Sequence, residues 1–103
     1  MIRHVVMWVF PDESAGRSRD ENVARAAELL RGLPAAIPEI RRLEAGADQL
    51  GGERQAHLVL ESDFDDWAAL ETYQQHPAHL DVVAFFREVG TTRLAVDFEI
   101  NPS

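Results

Sequence analysis

The sequence predicts a single α+β domain in which two helices cover one face of a four-stranded antiparallel sheet. Three observations lead to this prediction. Four stretches have the composition or the two-residue alternation of strands, two longer regions repeat at helical spacing, and the order is strand, helix, strand, strand, helix, strand. The length of 103 residues suits one domain, which we assign to residues 1–103.

The first strand and the first helix have clear boundaries. Residues 2–10 are rich in Val, Ile and aromatic side chains on both parities, which predicts a strand covered on both faces. Ser18 and Glu21 have the spacing of a capping box, and apolar residues recur behind them at helical spacing. We expect this helix to end at Gly32 to Pro34, followed by a stiff proline-containing connector.

Three further strands are expected. Residues 40–47 have charged side chains and read as an edge strand, and residues 55–61 alternate after a turn that contains two glycines. Residues 91–100 alternate again and form the last strand. With the helices, these strands give a ferredoxin-like βαββαβ protomer in which both helices lie on one sheet face.

The second helical region is interrupted. Acidic and capping side chains at 62–66 predict its start, and Trp67 and Leu70 are expected in the core. Pro77 ends or kinks it, because proline removes a backbone donor and crowds the preceding turn. A helical pattern then resumes as far as a C-cap at Gly90.

One sheet face would be apolar and left uncovered by the chain itself. Such a patch is large for a soluble monomer. We therefore expect a homodimer in which the open sheet faces of two copies pack together. The residues assigned to this face are Val5, Met7, Val9, Leu58, Leu60, Leu94, Val96 and Phe98.

The strand residues whose side chains face the helices are unusually polar. Buried polar groups must find partners or face a cavity, so we expect a small-molecule pocket here. Tyr73 and His79, on either side of Pro77, are the helical residues best placed to meet it. Arg93 is also assigned to the pocket, although an ion pair with a nearby acid is favoured for it. The strand residues assigned to the pocket are His4, Val6, Trp8, His57, Val59 and Asp97.

These residue types suit proton transfer. Imidazole titrates near neutrality, so His79 is the candidate base, and Asp97 could hold it in one tautomer. Tyr73 could donate a hydrogen bond to a carbonyl or enolate oxygen. A structural alternative stays open, in which His79 bonds a backbone carbonyl near Pro77 and Tyr73 fills a gap. His76 is expected to be a capping residue on the solvent side.

Composition excludes several function classes. The net charge of −8 argues against nucleic-acid binding, which rests on cationic side chains. Cysteine is absent, which excludes a disulfide framework and is compatible with a cytoplasmic location. The apolar N-terminal run is too short to span a bilayer, so no membrane association is expected. Pro77 spoils the helical spacing of His76 and His79, and no HExxH pattern is present, so we expect no metal.

Four stretches together resemble the stress-responsive dimeric A/B-barrel (Dabb) family. The resemblance spans nearly the whole chain, and its most specific part is the tyrosine, two-residue spacer and His-Pro-x-His run. It implies a ferredoxin-like protomer and a dimeric α/β barrel. The stretches are Ile2-Arg3-His4-Val5-Val6, Ala56-His57-Leu58-Val59, Tyr73-Gln74-Gln75-His76-Pro77-Ala78-His79 and Val96-Asp97-Phe98.

Within this family the chain resembles polyketide cyclases of the olivetolic acid cyclase type, which close a linear tetraketide by aldol condensation without metal or cofactor. The resemblance implies that His79 is the base and Tyr73 its hydrogen-bonding partner. It places His4, His57 and Asp97 in the pocket.

The apolar walls depart from that cyclase type. Trp8 and Arg93 replace aliphatic residues, so a different ligand is expected. The resulting hypothesis is a cofactor-independent cyclase or lyase that acts on a polyketide or aromatic small molecule. The alternative is a non-catalytic, stress-responsive dimer that binds a small ligand.

Overall fold

The computed structural model describes residues 1–100 and confirms the ferredoxin-like fold. Four strands form one antiparallel sheet, and the helices lie against one of its faces. A short two-stranded hairpin lies outside this sheet. The elements are β1 (Ile2–Val9), β2 (Glu13–Ser14), β3 (Arg17–Ser18), α1 (Arg19–Arg31), α2 (Leu33–Ala36), β4 (Arg42–Ala47), β5 (Leu58–Phe64), α3 (Trp67–Gln75), α4 (Pro77–Val89) and β6 (Thr92–Glu99).

The sheet has the strand order β4-β5-β1-β6, so the first strand lies in its interior and β4 and β6 form its edges. In β1 the side chains of Val6 and Trp8 are buried against the helices, whereas the next residues along, Met7 and Val9, are exposed. Trp8 stacks on Phe86 of α4 with 4.4 Å between ring centroids. This stack joins the sheet to the helical layer, and each such buried aromatic contributes about 1.5–3 kcal/mol by burial.

Both predicted helix starts are confirmed, by the capping box of α1 and by Asp66, whose carboxylate accepts the Ala69 N–H at 2.8 Å at the start of α3. The Ser18 hydroxyl accepts the Glu21 N–H at 3.2 Å, and the Glu21 carboxylate accepts the Ser18 N–H at 3.1 Å. Pro77 separates α3 from α4 and occupies the first position of α4, where its missing N–H leaves no bond unmade. His76 caps α4, because its Nδ1 accepts the Ala78 N–H at 3.0 Å.

Two segments expected to be irregular contain short regular elements. The loop before α1 forms the β2–β3 hairpin, whose two turn residues, Ala15 and Gly16, both have positive φ. That geometry matches the right-handed twist of the flanking strands. The connector after α1 contains α2, which tolerates Pro34 in its first turn.

Trp67 was wrongly predicted to be in the core. It occupies the first position of α3 and is 54% exposed, whereas Leu70 and Tyr73 are buried. The buried face of this helix therefore begins one turn after Trp67.

The predicted orientation of β5 was also wrong. Leu58 pairs with Trp8 and Leu60 with Val6, and directly paired residues share a sheet face. Leu58 and Leu60 therefore belong to the core under the helices. Val59 and the residues of its parity lie on the other face. The strand itself starts and ends about three residues later than expected, at Leu58 and Phe64.

The open sheet face is apolar, as predicted, although Leu58 and Leu60 do not belong to it. All eight residues of β6 are exposed. No helix within residues 1–100 is long and apolar enough to cross a bilayer. The exposed large side chains on the open face are Met7, Val9, Leu94, Val96 and Phe98.

Replacing Asp63 by asparagine is expected to lower the free energy of unfolding by about 1.5–3 kcal/mol, the usual range for charged hydrogen bonds. The nearly buried Asp63 carboxylate accepts two N–H groups of Arg3, at 2.8 and 3.0 Å. These bonds lower the pKa of Asp63 below its ordinary value of 3.8. Their contribution to the free energy of unfolding is therefore fully present above the ordinary pKa of the carboxyl group. It is lost as the pH falls through the lowered pKa of the folded state.

Urea denaturation at neutral and acidic pH measures this effect, with Asp65→Asn as the matched control. Asp65 pairs with Arg41 in the same bidentate way, but both side chains are about half exposed. Its loss should therefore change the unfolding free energy by less than about 1 kcal/mol. Equal effects of the two substitutions would contradict the prediction.

Candidate active site

A cavity of about 400 Å³ lies between the helix-facing side of the sheet and α4. This volume falls within the range of small-molecule sites, about 300–1,000 Å³. Most of its wall is apolar and comes from both the sheet and the helices. The main apolar lining residues are Val6, Trp8, Leu30, Leu60, Val82 and Phe86.

Three hydrogen-bonding side chains come together at one end of the cavity. His4 comes from β1, Tyr73 from α3 and His79 from the first turn of α4. The ring centroids of Tyr73 and His79 are 4.4 Å apart, and those of His4 and Tyr73 are 6.0 Å apart. The break at Pro77 produces this arrangement, because it lets Tyr73 and His79 approach the same region from two helices.

His79 is held as a neutral base. Its Nδ1 lies 3.0 Å from the backbone carbonyl oxygen of Gln74, and a carbonyl oxygen can only accept. Nδ1 therefore carries the proton, and Nε2 keeps its lone pair. Desolvation lowers the pKa of His79 below its ordinary value of 6.5, and electrostatic interactions with His4 and Arg93 act in the same direction. The hydrogen bond to Gln74 opposes this shift.

Tyr73 is a protonated hydrogen-bond donor. Its ring is fully buried, and within residues 1–100 its hydroxyl has no hydrogen-bond partner. Burial raises the pKa of Tyr73 well above the usual range of a phenol, so the hydroxyl keeps its proton at neutral pH. Tyr73 lines the cavity but its hydroxyl is buried, so a ligand oxygen can reach this hydroxyl only if a neighbouring side chain moves.

Asp97 pairs with His4 and not, as predicted, with His79. Its carboxylate accepts from Nδ1 of His4. The register explains the difference, since His4 and Asp97 are directly paired residues of β1 and β6. The Nδ1 of His79 is already bonded to Gln74. Asp97 therefore orients the second imidazole of the site.

His57 and Val59, both predicted to line the pocket, lie outside it. His57 precedes β5, and its Nδ1 accepts the Phe10 N–H at 2.9 Å, which is a structural role. Val59 is on the open side of the sheet. Both misplacements follow from the wrong parity assigned to β5.

Arg93 lines the cavity, and the ion pair favoured for it is not formed. Among residues 1–100, no carboxylate lies within 4.0 Å of its guanidinium group, and the nearby acids of the same strand, Asp97 and Glu99, are not paired with it. Arg93 is directly paired with Trp8, which places both residues on the helix-facing side of the sheet.

Sequence reasoning missed three polar lining residues, Gln74, Arg87 and Thr91, and the apolar lining residues Leu30, Leu60, Val82, Val83 and Phe86. Helical spacing could have found Arg87, since Val83, Phe86 and Arg87 follow His79 by four, seven and eight positions and share its helix face. The bond of His79 to the Gln74 carbonyl is the one that the structural alternative predicted, in which His79 bonds a backbone carbonyl near Pro77. Over the described chain, no group of three His, Cys, Asp or Glu side chains is arranged to hold a metal ion.

Comparisons with known proteins bear on this site and fold. An uncharacterized protein of Streptomyces coelicolor, SCO4036, is 35% identical over 100 residues, covering 96% of this chain and 99% of that protein. A crystal structure from Bacteroides fragilis, described as a dimeric protein of unknown function with a ferredoxin-like fold, is 27% identical. It has a TM-score of 0.83, with 96% of this chain and 95% of that chain covered.

A hydroxynitrile lyase from Passiflora edulis is also similar in structure. Its TM-score is 0.77 at 20% identity, with 99% of this chain and 94% of that chain covered. At this identity the likeness concerns the fold alone. The family model of the stress-responsive A/B barrel domain matches residues 2–100. The chain therefore belongs to the Dabb family, as its four sequence stretches predicted.

Proposed function

We propose that the chain is a cofactor-independent enzyme of the cyclase or lyase type, which acts on a polyketide or aromatic small molecule. The observation that supports this most is the pairing of a neutral His79, with a free Nε2, and a protonated Tyr73 hydroxyl at one end of an apolar cavity. A base and a hydrogen-bond donor side by side are the two groups needed to remove a proton next to a carbonyl.

The proposed reaction needs no outside reactant. Nε2 of His79 takes a proton from a carbon next to a substrate carbonyl, while the Tyr73 hydroxyl donates a hydrogen bond to the developing enolate oxygen. In a cyclase, the enolate carbon then forms a bond to a second carbonyl carbon of the same molecule. The new alkoxide takes the proton back from the His79 imidazolium, so the reaction is redox-neutral.

His4 and Asp97 support this chemistry from the sheet. Asp97 fixes the orientation of His4 and offsets positive charge that its imidazole acquires on taking a proton. The Nε2 of His4 then remains available to the substrate.

The hydroxynitrile lyase supports the proposal in a limited way. It demonstrates that this fold can host a lyase, and fold alone does not assign a reaction. The alternative function is a non-catalytic dimer that binds a small ligand. The complete burial of Tyr73 favours it, because a binding site needs only the cavity and not the hydroxyl.

The functional unit in this proposal is a homodimer. The apolar open face of the sheet, exposed along all of β6, supports pairing with a second copy. The Bacteroides fragilis protein is described as dimeric. The absence of a cofactor and a cytoplasmic location stay predictions.

Replacing Tyr73 by phenylalanine is expected to lower kcat by about 100-fold, the usual effect of removing one oxyanion donor. The test offers linear tri- and tetraketides to the protein in the presence of a chelator and follows product formation by mass spectrometry. Ser62→Ala is the matched control, because Ser62 also has a buried hydroxyl without a partner within the described residues but does not line the cavity. An unchanged rate in the Tyr73 variant would exclude the proposed role.

A further inference from the structure

The cavity is positively charged although the chain is acidic. The whole sequence has a net charge of −8, yet the charged side chains of the lining are two arginines, Arg87 and Arg93, and the lining has no aspartate or glutamate. A cationic lining in an acidic protein is a feature of the site and not of the surface in general. It indicates an anionic ligand.

Within the described part of the chain, neither cavity arginine has a hydrogen-bond or ion-pair partner. The sequence contains ten arginines and no lysine. Within residues 1–100, seven of them bond or pair with protein groups, and only Arg54, Arg87 and Arg93 do not. The seven are Arg3, Arg17, Arg19, Arg25, Arg31, Arg41 and Arg42.

We infer that the cavity recognises a small molecule with an aromatic or aliphatic body and a carboxylate, which the lining residues Arg93 and Arg87 hold. This inference deepens the proposed function and rests on it for the identification of the ligand as a substrate. A guanidinium group matches a carboxylate with two parallel hydrogen bonds. The Trp8–Phe86 stack accommodates the apolar body.

The position of Arg87 favours a carboxylate over a phosphate. Arg87 lies in the last turn of α4, where the helix dipole places partial negative charge. This end of the helix disfavours a dianion more than a monoanion. The ligand carboxylate would bind at this end, with its reactive carbonyl toward His79 and Tyr73.

Calorimetric titration with phenylacetate, 3-phenylpropanoate and 5-phenylpentanoate, each compared with its primary amide, tests this inference. We expect at least one carboxylate to bind the unmodified protein roughly 10- to 100-fold more tightly than its amide. Arg93→Met should remove the preference, and Arg93→Lys should restore only part of it. Arg54→Met is the matched control, since it removes the same charge from the third unpartnered arginine, which lies outside the cavity.

Several results would overturn the inference. They are equal affinity for carboxylate and amide, no carboxylate binding at millimolar concentration, tighter binding of phenyl phosphate, or an unchanged preference in Arg93→Met. Because Arg93 lies on an exposed edge strand, its variants should fold, and Arg93→Gln replaces the methionine variant if needed. Binding is measured without turnover, so an inactive protein that keeps the preference would contradict the catalytic proposal alone.

Discussion

Replacing His79 by alanine is expected to lower kcat/KM by about 100- to 10,000-fold, the range for loss of a general base. The variant should keep the fold, because His79 lies in the first turn of α4 and its only hydrogen bond is to the Gln74 carbonyl of α3. Turnover of a linear polyketide and the circular dichroism spectrum measure the two parts of this prediction. Activity equal to that of the unmodified protein would exclude His79 as the base.

His76→Asn is the matched control for this experiment. It removes an imidazole three positions away that caps α4 and does not line the cavity. Asparagine is itself a good capping residue, so helix stability should change little. Activity should therefore persist in His76→Asn and fall by that factor in His79→Ala.

The pH profile provides a second measurement on the same residue. Catalysis requires neutral His79, and desolvation lowers the pKa of this group below 6.5. We therefore expect the acid limb of kcat/KM to have its midpoint below pH 6.5, as Nε2 takes a proton. An acid limb centred above pH 6.5 would contradict the assignment.

The fold was predictable because its elements are bounded by strong local signals. The capping box at Ser18, the proline at position 77 and the glycine at position 90 each fix one helix end. The orientation of β5 was not predicted, because both of its parities contain apolar residues and alternation alone does not say which faces the core. Glu61, on the parity of Val59, was the available signal, since a carboxylate favours the more exposed face.

The site was only partly predictable, because side-chain pairing depends on register. Sequence analysis placed His4 and Asp97 on the same sheet face but could not show that they are directly paired across β1 and β6. It therefore assigned Asp97 to the wrong histidine. The bond that holds His79 is made to the backbone carbonyl of Gln74. Every residue has such a carbonyl, so the residue types alone do not indicate which one accepts the bond.

Replacing Leu94 by glutamate is expected to convert the proposed homodimer to a monomer. Leu94 lies in β6 on the open sheet face and is 69% exposed in the single chain, so the variant should still fold. In a dimer of two sheets, the new carboxylate would be buried twice, once from each copy. Loss of several kcal/mol per buried charge raises the dissociation constant by at least roughly 1,000-fold.

Sedimentation at micromolar concentration measures this change. The unmodified chain should sediment as a dimer, and Leu94→Glu as a monomer with an unaltered circular dichroism spectrum. Leu50→Glu is the matched control, because Leu50 is 84% exposed in the turn between β4 and β5 and lies outside the sheet. A monomeric unmodified chain would exclude the dimer. A dimer that persists in Leu94→Glu would show that the interface lies elsewhere on the chain. The assignment of the catalytic residues would be unaffected, because the cavity lies on the opposite side of the sheet from the proposed interface.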